Sequence, residues 1–340
     1  MKKAIRLCLT DTHANINNIG LQESIWLQAI DVCKKHNIDV IHHLGDFVTT
    51  RKAQSLSVLE HLMWIKNILG KNNIGLVGIT GNHDRTNLES VFAYPNIFND
   101  ENFRIVEESY QEVVGDIEFS FLSYFPETGS YKERFNNIKV SKTKFTILHT
   151  HIGISGGLSH KNATINKEVP SDMFGDFDLV TSGHYHNFNK VENSVGTDIY
   201  YIGSAYAANY GEDNDKGFTI IYDDGSIEFH QTDFPRYETI SVDISDVDGK
   251  WLSSTKKHIS ETGSNIRVIV TGDESELKKI KKQKFSDIGV KKLKLDTDSV
   301  GLEANKNRAF VSLDKDTVRK EYKKFCVSQE IDPDFGTSYL

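Results

Sequence analysis

Cysteine is scarce: Cys8, Cys33 and Cys326 are the only three in 340 residues. An odd number so widely spaced excludes a disulfide framework and suits a reducing compartment. Long apolar runs are missing as well. No uninterrupted stretch approaches the roughly 18 residues of a helical membrane span, and mean hydropathy is −0.42. The opening residues imitate a secretion signal only briefly, since Arg6 and Asp11 interrupt them and no small-residue cleavage site follows. They read as a first strand, and the chain as cytoplasmic. Excess positive charge is also lacking, with 48 acidic against 40 basic side chains. Taken alone, that argues against a nucleic-acid partner, whose phosphates are neutralised by Lys and Arg. The total conceals an asymmetry: residues 1–250 carry 22 basic and 34 acidic groups, residues 251–340 carry 18 and 14.

What is present is enough chain for two domains and a large core. No internal repeat or low-complexity tract is visible. Short apolar runs alternate with helical periodicity at first, predicting strands over 4–9, 39–44 and 75–79 and helices over 22–35 and 54–69. Such alternation implies a sheet covered by helices. Beyond residue 103 the pattern turns β-rich, with strands expected over 103–106, 117–124, 145–149, 179–182, 200–202, 218–222 and 226–230. An α/β fold of two packed sheets, a β-sandwich flanked by helices, fits best. After Phe234-Pro235-Arg236 a smaller alternation begins, with strands over 237–242, 265–271 and 290–295 and helices over 248–260 and 275–285. The expected organisation is a catalytic domain over 1–235, a small α/β domain over 236–300 and a C-terminal helical segment over 301–340. Val318, Tyr322 and Phe325 form one stripe of a helix over 316–328, either a partner-docking surface or packing against its own domain.

The polar residues that chemistry needs fall where strands end. Asp11-Thr12-His13 follows the first strand, Gly45-Asp46 the second and Gly81-Asn82-His83-Asp84 the third. His149-Thr150-His151 closes the strand from 145, and Gly183-His184-Tyr185-His186 follows that over 179–182. Ligand sites of α/β folds gather at the carboxyl ends of strands. These residue types suit two divalent cations about 3.5–4 Å apart, which need a shared anionic bridge and further N and O donors. Asp46 can bridge; Asp11, His13 and His186 complete one shell, and Asn82, His151 and His184 the other. Two carboxylates facing four positive charges leave a site that attracts a phosphate diester. The cations would clamp its oxygens and lower the pKa of the water that attacks. His83, assigned to neither cation, would stabilise developing charge or protonate the leaving oxygen, with Asp84 holding its ring. Of His149 and His151 one is the ligand, and His151, nearest the strand exit, is favoured. His42 and His43 lie inside a strand and read as structural; His36, His61, His160, His230 and His258 have no motif context.

The ordered series Asp-X-His, Gly-Asp, Gly-Asn-His-Asp, strand-end His and Gly-His-X-His resembles the calcineurin-like metallophosphoesterase superfamily. Within it the chain most resembles the SbcD family of DNA-repair nucleases, in particular its T4-type phage recombination subunits. Gly45-Asp46-Phe47 runs into Arg51-Lys52-Ala53, and Gly156 stands five residues after His151. Tyr201-Ile202-Gly203-Ser204-Ala205-Tyr206 leads to an acidic turn over 212–215 and then Gly217-Phe218, as in that family. Thr49 stands where many relatives have Asp or His, which puts substrate contacts there in question, and Ala205 replaces the usual Pro. The resemblance implies a nuclease dependent on manganese, with magnesium the alternative. Its activities would be exonuclease on DNA ends and endonuclease on single-stranded or hairpin DNA, in double-strand-break repair and recombination. It also implies a homodimer bound to an SMC-like coiled-coil ATPase, a cap after residue 235, and residence near the nucleoid of a bacterium or phage-infected cell. Segments 57–69 and 87–93 are the candidate dimer contacts.

Between Lys278 and Lys294 eight lysines face a single acid, Asp287. Lys281, Lys282, Lys284, Lys291 and Lys292 are the candidate phosphate contacts, independent of sequence and sensitive to salt. The alternative is a solvated helix and an edge strand guarded by lysine. The negative total thus resolves into an acidic catalytic part and a basic cap, and two bound cations would add positive charge where the acidic part meets phosphate. Two other readings compete: a small-substrate phosphodiesterase or phosphomonoesterase of the same superfamily, and a metal-free interaction scaffold. The lysine-rich cap speaks against the first, the full ligand set against the second.

Overall fold

The structure, a computed structural model, describes residues 2–158, 163–166 and 168–297. These described residues divide into two units: those up to Thr239 with His258–Arg267, and Ile240–Lys257 with those from Val268.

In the first unit β1 (Ala4–Leu9), β2 (Val40–Leu44), β3 (Gly75–Ile79) and β4 (Phe103–Val106) lie parallel, side by side. A second sheet follows, made of β5 (Ser109–Val114), β6 (Ile117–Leu122), β7 (Phe145–Thr150), β8 (Leu179–Ser182), β9 (Asn189–Lys190) and β10 (Asp198–Tyr201). β11 (Gly217–Tyr222) and β12 (Ile227–Gln231) then return, antiparallel, to the first sheet beside β1. The strand orders are β12-β11-β1-β2-β3-β4 and β5-β6-β7-β8-β10-β9. β6, β7, β8 and β10 are mutually parallel, so each sheet has a parallel centre with antiparallel strands at an edge.

Alternation along each strand decides what covers its faces. In β1, Leu7 and Leu9 pack outward with Trp26, Ala29 and Ile30 of α1 (Ile19–His36), whereas Cys8 faces the layer between the sheets. That layer joins Leu44, Val77, Ile79 and Val106 to Phe119, Phe121, Ile147 and Leu179. α2 (Leu56–Lys71) starts at Ser55, whose hydroxyl accepts from Val58 N, and adds Leu62, Ile65 and Leu69 to the outer cover. The outer face of the second sheet is closed by α3 (Tyr131–Asn136) with Phe174, Phe177 and the loops around them. β5, β9 and α3 are absent from the sequence-based expectation.

A third sheet has the strand order β13-β14-β15, formed by Tyr237–Asp243, Asn265–Gly272 and Lys292–Thr297, with α4 (Gly249–Thr262) after its first strand. The helix expected over 275–285 is a correction: two short helices stand there, α5 (Glu274–Leu277) and α6 (Gln283–Asp287). Lys278 would stand at helical spacing from Lys281 and Lys282, and Lys281 from Lys284, so one continuous helix would stack like charges; Leu277 and Phe285 are both buried. The C-terminal segment 301–340, its helix stripe included, lies outside the described residues.

Candidate metal centre

The inward-facing positions of β2 are His42 and Leu44, and those of β7 are Ile147 and His149. Continuing the alternation past each strand end brings Asp46 and His151 to the mouth of the layer between the sheets. There Asp46 Oδ2 lies 3.4 Å from His151 Nε2 and 3.5 Å from His13 Nε2. The turns that achieve this are tight. Asp11, His13, Asp46 and His184 all have positive φ, between 48° and 84°, a conformation costing about 1–3 kcal/mol each for such residues. Gly45, at φ 92°, permits the approach of His151, whose Nδ1 would lie 2.6 Å from any Cβ placed there. Gly81 leaves the space that the Asp46 carboxylate fills.

Two groups of donors result. Asp11 Oδ2 accepts from Thr10 Oγ1 at 2.8 Å and His184 N at 3.0 Å. Its Oδ1 is buried without a hydrogen-bond partner, 3.6 Å from His13 Nε2 and 3.5 Å from His186 Nε2. Those two imidazole nitrogens are 3.3 Å apart. A buried carboxylate oxygen facing two imidazole nitrogens is the donor set a divalent cation takes. In the second group Asn82 Oδ1 lies 3.2 Å from His151 Nε2 and 3.0 Å from His184 Nδ1, with Asp46 beside it. His151 Nδ1 donates to the Leu44 carbonyl at 2.6 Å, which fixes Nε2 toward the site. All seven residues expected as ligands therefore converge, and they fit two cations sharing Asp46.

Without cations the charges compensate one another. Burial opposes ionisation of Asp11 and Asp46, but the surrounding His151 and His13, with His186 beside Asp11, hold both carboxyls well below the usual carboxylate range. Burial likewise disfavours the imidazolium form, yet Asp46 and Asp11 raise His151 to about 9, and Asp11 and Glu212 raise His186 to about 10. His184 goes the other way, to about 4, through burial and the neighbouring His151.

His83 reaches a cavity of about 310 Å³ that is also lined by His13, His184, His186, Asn15 and Thr49. Its ring is not held by Asp84, which corrects the expectation. Nδ1 lies 2.5 Å from the Thr49 carbonyl, and the His83 N–H donates to Asp46 Oδ1 at 2.8 Å. Asp84 is fully buried and accepts instead from the N–H groups of Gly81, Asp46 and Val48, at 2.8, 2.9 and 3.1 Å. Burial and the charge of Asp46 push its carboxyl up to about 7 against the pull of those N–H groups. It ties the turn at Gly45-Asp46 to the turn at Gly81–Asp84. Thr49 acts through its backbone carbonyl on His83 and its hydroxyl on the His13 carbonyl, at 2.6 Å.

His149 is not brought to the site. With His42 and Cys8 it forms a buried group between the sheets. Arg6 Nε donates to His42 Nε2 at 3.1 Å, His42 Nδ1 is 2.9 Å from His149 Nε2, and His149 Nδ1 is 2.5 Å from Thr181 Oγ1. Every ring nitrogen is used, and the Arg6 guanidinium repels a cation, so this is a hydrogen-bonded chain. Lys281, Lys282, Lys284, Lys291 and Lys292 are exposed on α6, the segments beside it and β15. Sequence reasoning missed Glu212, which accepts from His186 Nδ1 at 3.2 Å, although the acidic turn containing it stood out.

A family model described as calcineurin-like phosphoesterase matches residues 6–188. Exonuclease subunit 1 of Enterobacteria phage T4 is 25% identical over 217 residues, 59% of this chain and 58% of that protein, so less than two thirds of this relative's length is spanned. A dimetal phosphatase from Danio rerio superposes with a TM-score of 0.44 at 9% identity, covering 65% of this chain and 93% of the phosphatase. The nuclease MPE of Pseudomonas putida superposes with a TM-score of 0.27 at 17% identity, covering 48% and 71%.

Proposed function

The chain belongs to the calcineurin-like phosphoesterase family, and from that premise we propose that it is a two-metal DNA nuclease hydrolysing phosphodiesters. One observation carries the metal centre: Asp11 Oδ1, buried and without a hydrogen bond, faces His13 and His186, while Asp46 Oδ2 lies between His13 and His151. Asp11, His13 and His186 would hold one cation, Asn82, His151 and His184 the other, and Asp46 both. Bound manganese or magnesium supplies Lewis acidity, neutralising phosphate oxygens and making water a nucleophile at neutral pH. The chain's own residues orient and exclude. Leu44 and Glu212 fix the tautomers of His151 and His186, Asp84 locks the turns, and His83, held by the Thr49 carbonyl at the cavity wall, delivers a proton to the leaving oxygen.

Two features favour DNA over a small diester: the T4 relative is an exonuclease subunit, and the second unit exposes eight lysines within 278–294. We assign residues 236–300 as a cap whose Lys281, Lys282, Lys284, Lys291 and Lys292 meet phosphate. Action at DNA ends and on single-stranded or hairpin DNA, in break repair and recombination, follows from the family resemblance. A homodimer and an SMC-like ATPase partner follow from it too. Leu56 and Met63 of α2, with Phe92 and Ile97, are exposed apolar side chains suited to such contacts. No described helix is long and apolar enough to cross a membrane.

The test is a nuclease assay with added Mn²⁺ on blunt duplex, single-stranded and hairpin DNA. Asp46→Ala is expected to abolish cleavage, and His83→Ala to lower it about 10²–10⁴-fold, the worth of a positioned proton donor, without lowering metal content. Equal activity in all three proteins overturns the site. Cleavage of a chromogenic diester without any cleavage of DNA would transfer the chain to the small-substrate phosphodiesterases. Neutralising Lys281, Lys282 and Lys284 together should flatten the salt dependence of duplex binding, by about 0.9 in slope for each phosphate no longer neutralised. An unchanged slope returns the lysines to solvated surface.

A further inference from the structure

Between β10 and β11 the chain buries an ion pair. Lys216 is fully buried, and the Glu212 side chain is 2% exposed. Taking such charges out of water is costly unless their polar atoms find partners, and here the partners converge on one residue. Glu212 Oε1 accepts from His186 Nδ1 at 3.2 Å and from Asn209 Nδ2 at 2.7 Å. Oε2 accepts from Ala208 N at 3.3 Å and lies 3.6 Å from Lys216 Nζ. Lys216 Nζ donates to the His186 carbonyl at 2.6 Å and to Asn187 Oδ1 at 2.9 Å, with Asp213 3.4 Å away. Ser204 N reaches the same carbonyl at 3.0 Å. Ring and backbone of His186 are thus held by the two halves of one pair. By contrast, His151 of the other position has only the Leu44 carbonyl behind its Nδ1; within its own position Glu212 supports His186 alone, since His13 Nδ1 has no hydrogen-bond partner.

We propose that Glu212 is a positioning residue that makes the Asp11–His13–His186 position the tighter of the two cation positions, with Lys216 anchoring both Glu212 and His186. This rests on the two-metal reading above. A carboxylate accepting the Nδ1 proton fixes the tautomer that presents Nε2 and enriches that nitrogen in electron density. Such outer partners typically carry about 10- to 100-fold in metal affinity. Among the described residues no carboxylate stands behind a histidine of the second position: His151 Nδ1 meets only the Leu44 carbonyl, and His184 Nδ1 faces Asn82, itself a proposed ligand of that position.

The experiment is Mn²⁺ titration of the metal-free full chain, followed by calorimetry and by the electron paramagnetic resonance of free Mn²⁺. Wild type is expected to show two binding events of unequal affinity. Glu212→Gln preserves shape and an acceptor for Asn209 but removes the charge. It should weaken the tighter event about 10- to 100-fold and leave the weaker one in place. Glu212→Asp, which keeps the charge, should recover part of the loss. A tighter event within twofold of wild type overturns the proposal, as does equal weakening of both events in a variant whose metal-free melting temperature is unchanged. Should Glu212→Gln fail to fold, Asn209→Ala takes its place, with a loss of about three- to tenfold expected at the same event and no loss overturning the idea. Wild type binding no Mn²⁺ would instead overturn the metal centre itself.

Discussion

His149 and His151 stand two residues apart at the end of β7 and point toward the same inter-sheet layer, yet their chemistry is opposite. His149, still within the layer, is packed against Phe119 and Phe121, and burial drives its pKa well below the ordinary histidine value. His151, one alternation further, faces Asp46 and Asp11, and in the metal-free protein their charges raise it to about 9 although it is just as buried. β2 repeats the contrast with a different pair: His42 inside the layer, Asp46 at its mouth. A fold of this kind therefore sets the role of a polar side chain by how far along the strand it sits. Inside, rings must be neutral and satisfied by neighbours; at the mouth, carboxylates and imidazoles face one another across a gap a cation can fill.

The contrast can be broken most severely by exchanging the two losses. His151→Ala removes a proposed ligand at the mouth, and with it the positive charge beside Asp46 and Asp11, and is expected to lower the proposed Mn²⁺-dependent nuclease activity per folded molecule by about 10²–10³-fold, the worth of one group that stabilises transition-state charge. His149→Ala deletes a core ring and orphans His42. It is expected to cost about 3–5 kcal/mol of stability while leaving activity per folded molecule intact. Activity and thermal melting on both variants decide this. Loss of activity in a folded His149→Ala protein, or none in His151→Ala, would erase the distinction.

Acid sharpens the same contrast. His42, His43 and His149 are held neutral by burial, His43 down to about 3 and the other two also well below the ordinary value. In the unfolded chain each titrates near 6.5. Below that pH the unfolded state binds protons that the folded state refuses, so stability falls as pH falls, by up to about 1.4 kcal/mol per pH unit for each histidine. His151 and His186 have raised folded pKa values, so the stability they confer is already complete below about pH 6 and adds no slope there. Asp84, pushed up to about 7, opposes the histidines by one proton. Urea unfolding at pH 6.5, 6.0 and 5.5 should therefore show a steadily falling midpoint. A midpoint that holds or rises as the pH is lowered would mean the core rings are not the neutral group described.

Much of this was legible in the sequence because strand ends are legible. Apolar runs such as Ala4–Leu9 and Gly75–Ile79 stop abruptly at Asp, Asn and His, and the mouth of the layer is where such stops coincide. What escaped has physical reasons. β5, Ser109–Val114, is an edge strand with no buried residue, so it carries no apolar run to find. Adjacency in sequence pairs Asp84 with His83, but in a tight turn adjacent side chains diverge, and Asp84 turns to the backbone of Asp46 and Val48. Glu212 lies 26 residues from His186 and meets it only through the return of the chain toward the first sheet. Nothing in local spacing announces that.

The mildest perturbation probes how the interior histidine is held. Thr181 stands directly beside His149 in the parallel register of β7 and β8, and its hydroxyl takes the His149 Nδ1 hydrogen at 2.5 Å. Since Arg6 donates to His42 Nε2, His42 carries its proton on Nδ1 and gives it to His149 Nε2, which forces the His149 proton onto Nδ1. The hydroxyl of Thr181 is the end of that chain. Thr181→Val keeps the shape and removes the acceptor, leaving one buried N–H unpaired at a cost of about 1–3 kcal/mol. Chemical denaturation should register that loss with the denaturant slope unchanged and nuclease activity as in wild type. Should Thr181→Val instead prove neutral in stability, the proton is not directed toward Thr181. The chain would then run with the opposite tautomers, and Cys8 or Glu112 would have to supply the missing partner, Glu112 Oε1 being 3.5 Å from His42 Nε2 and without a hydrogen bond of its own.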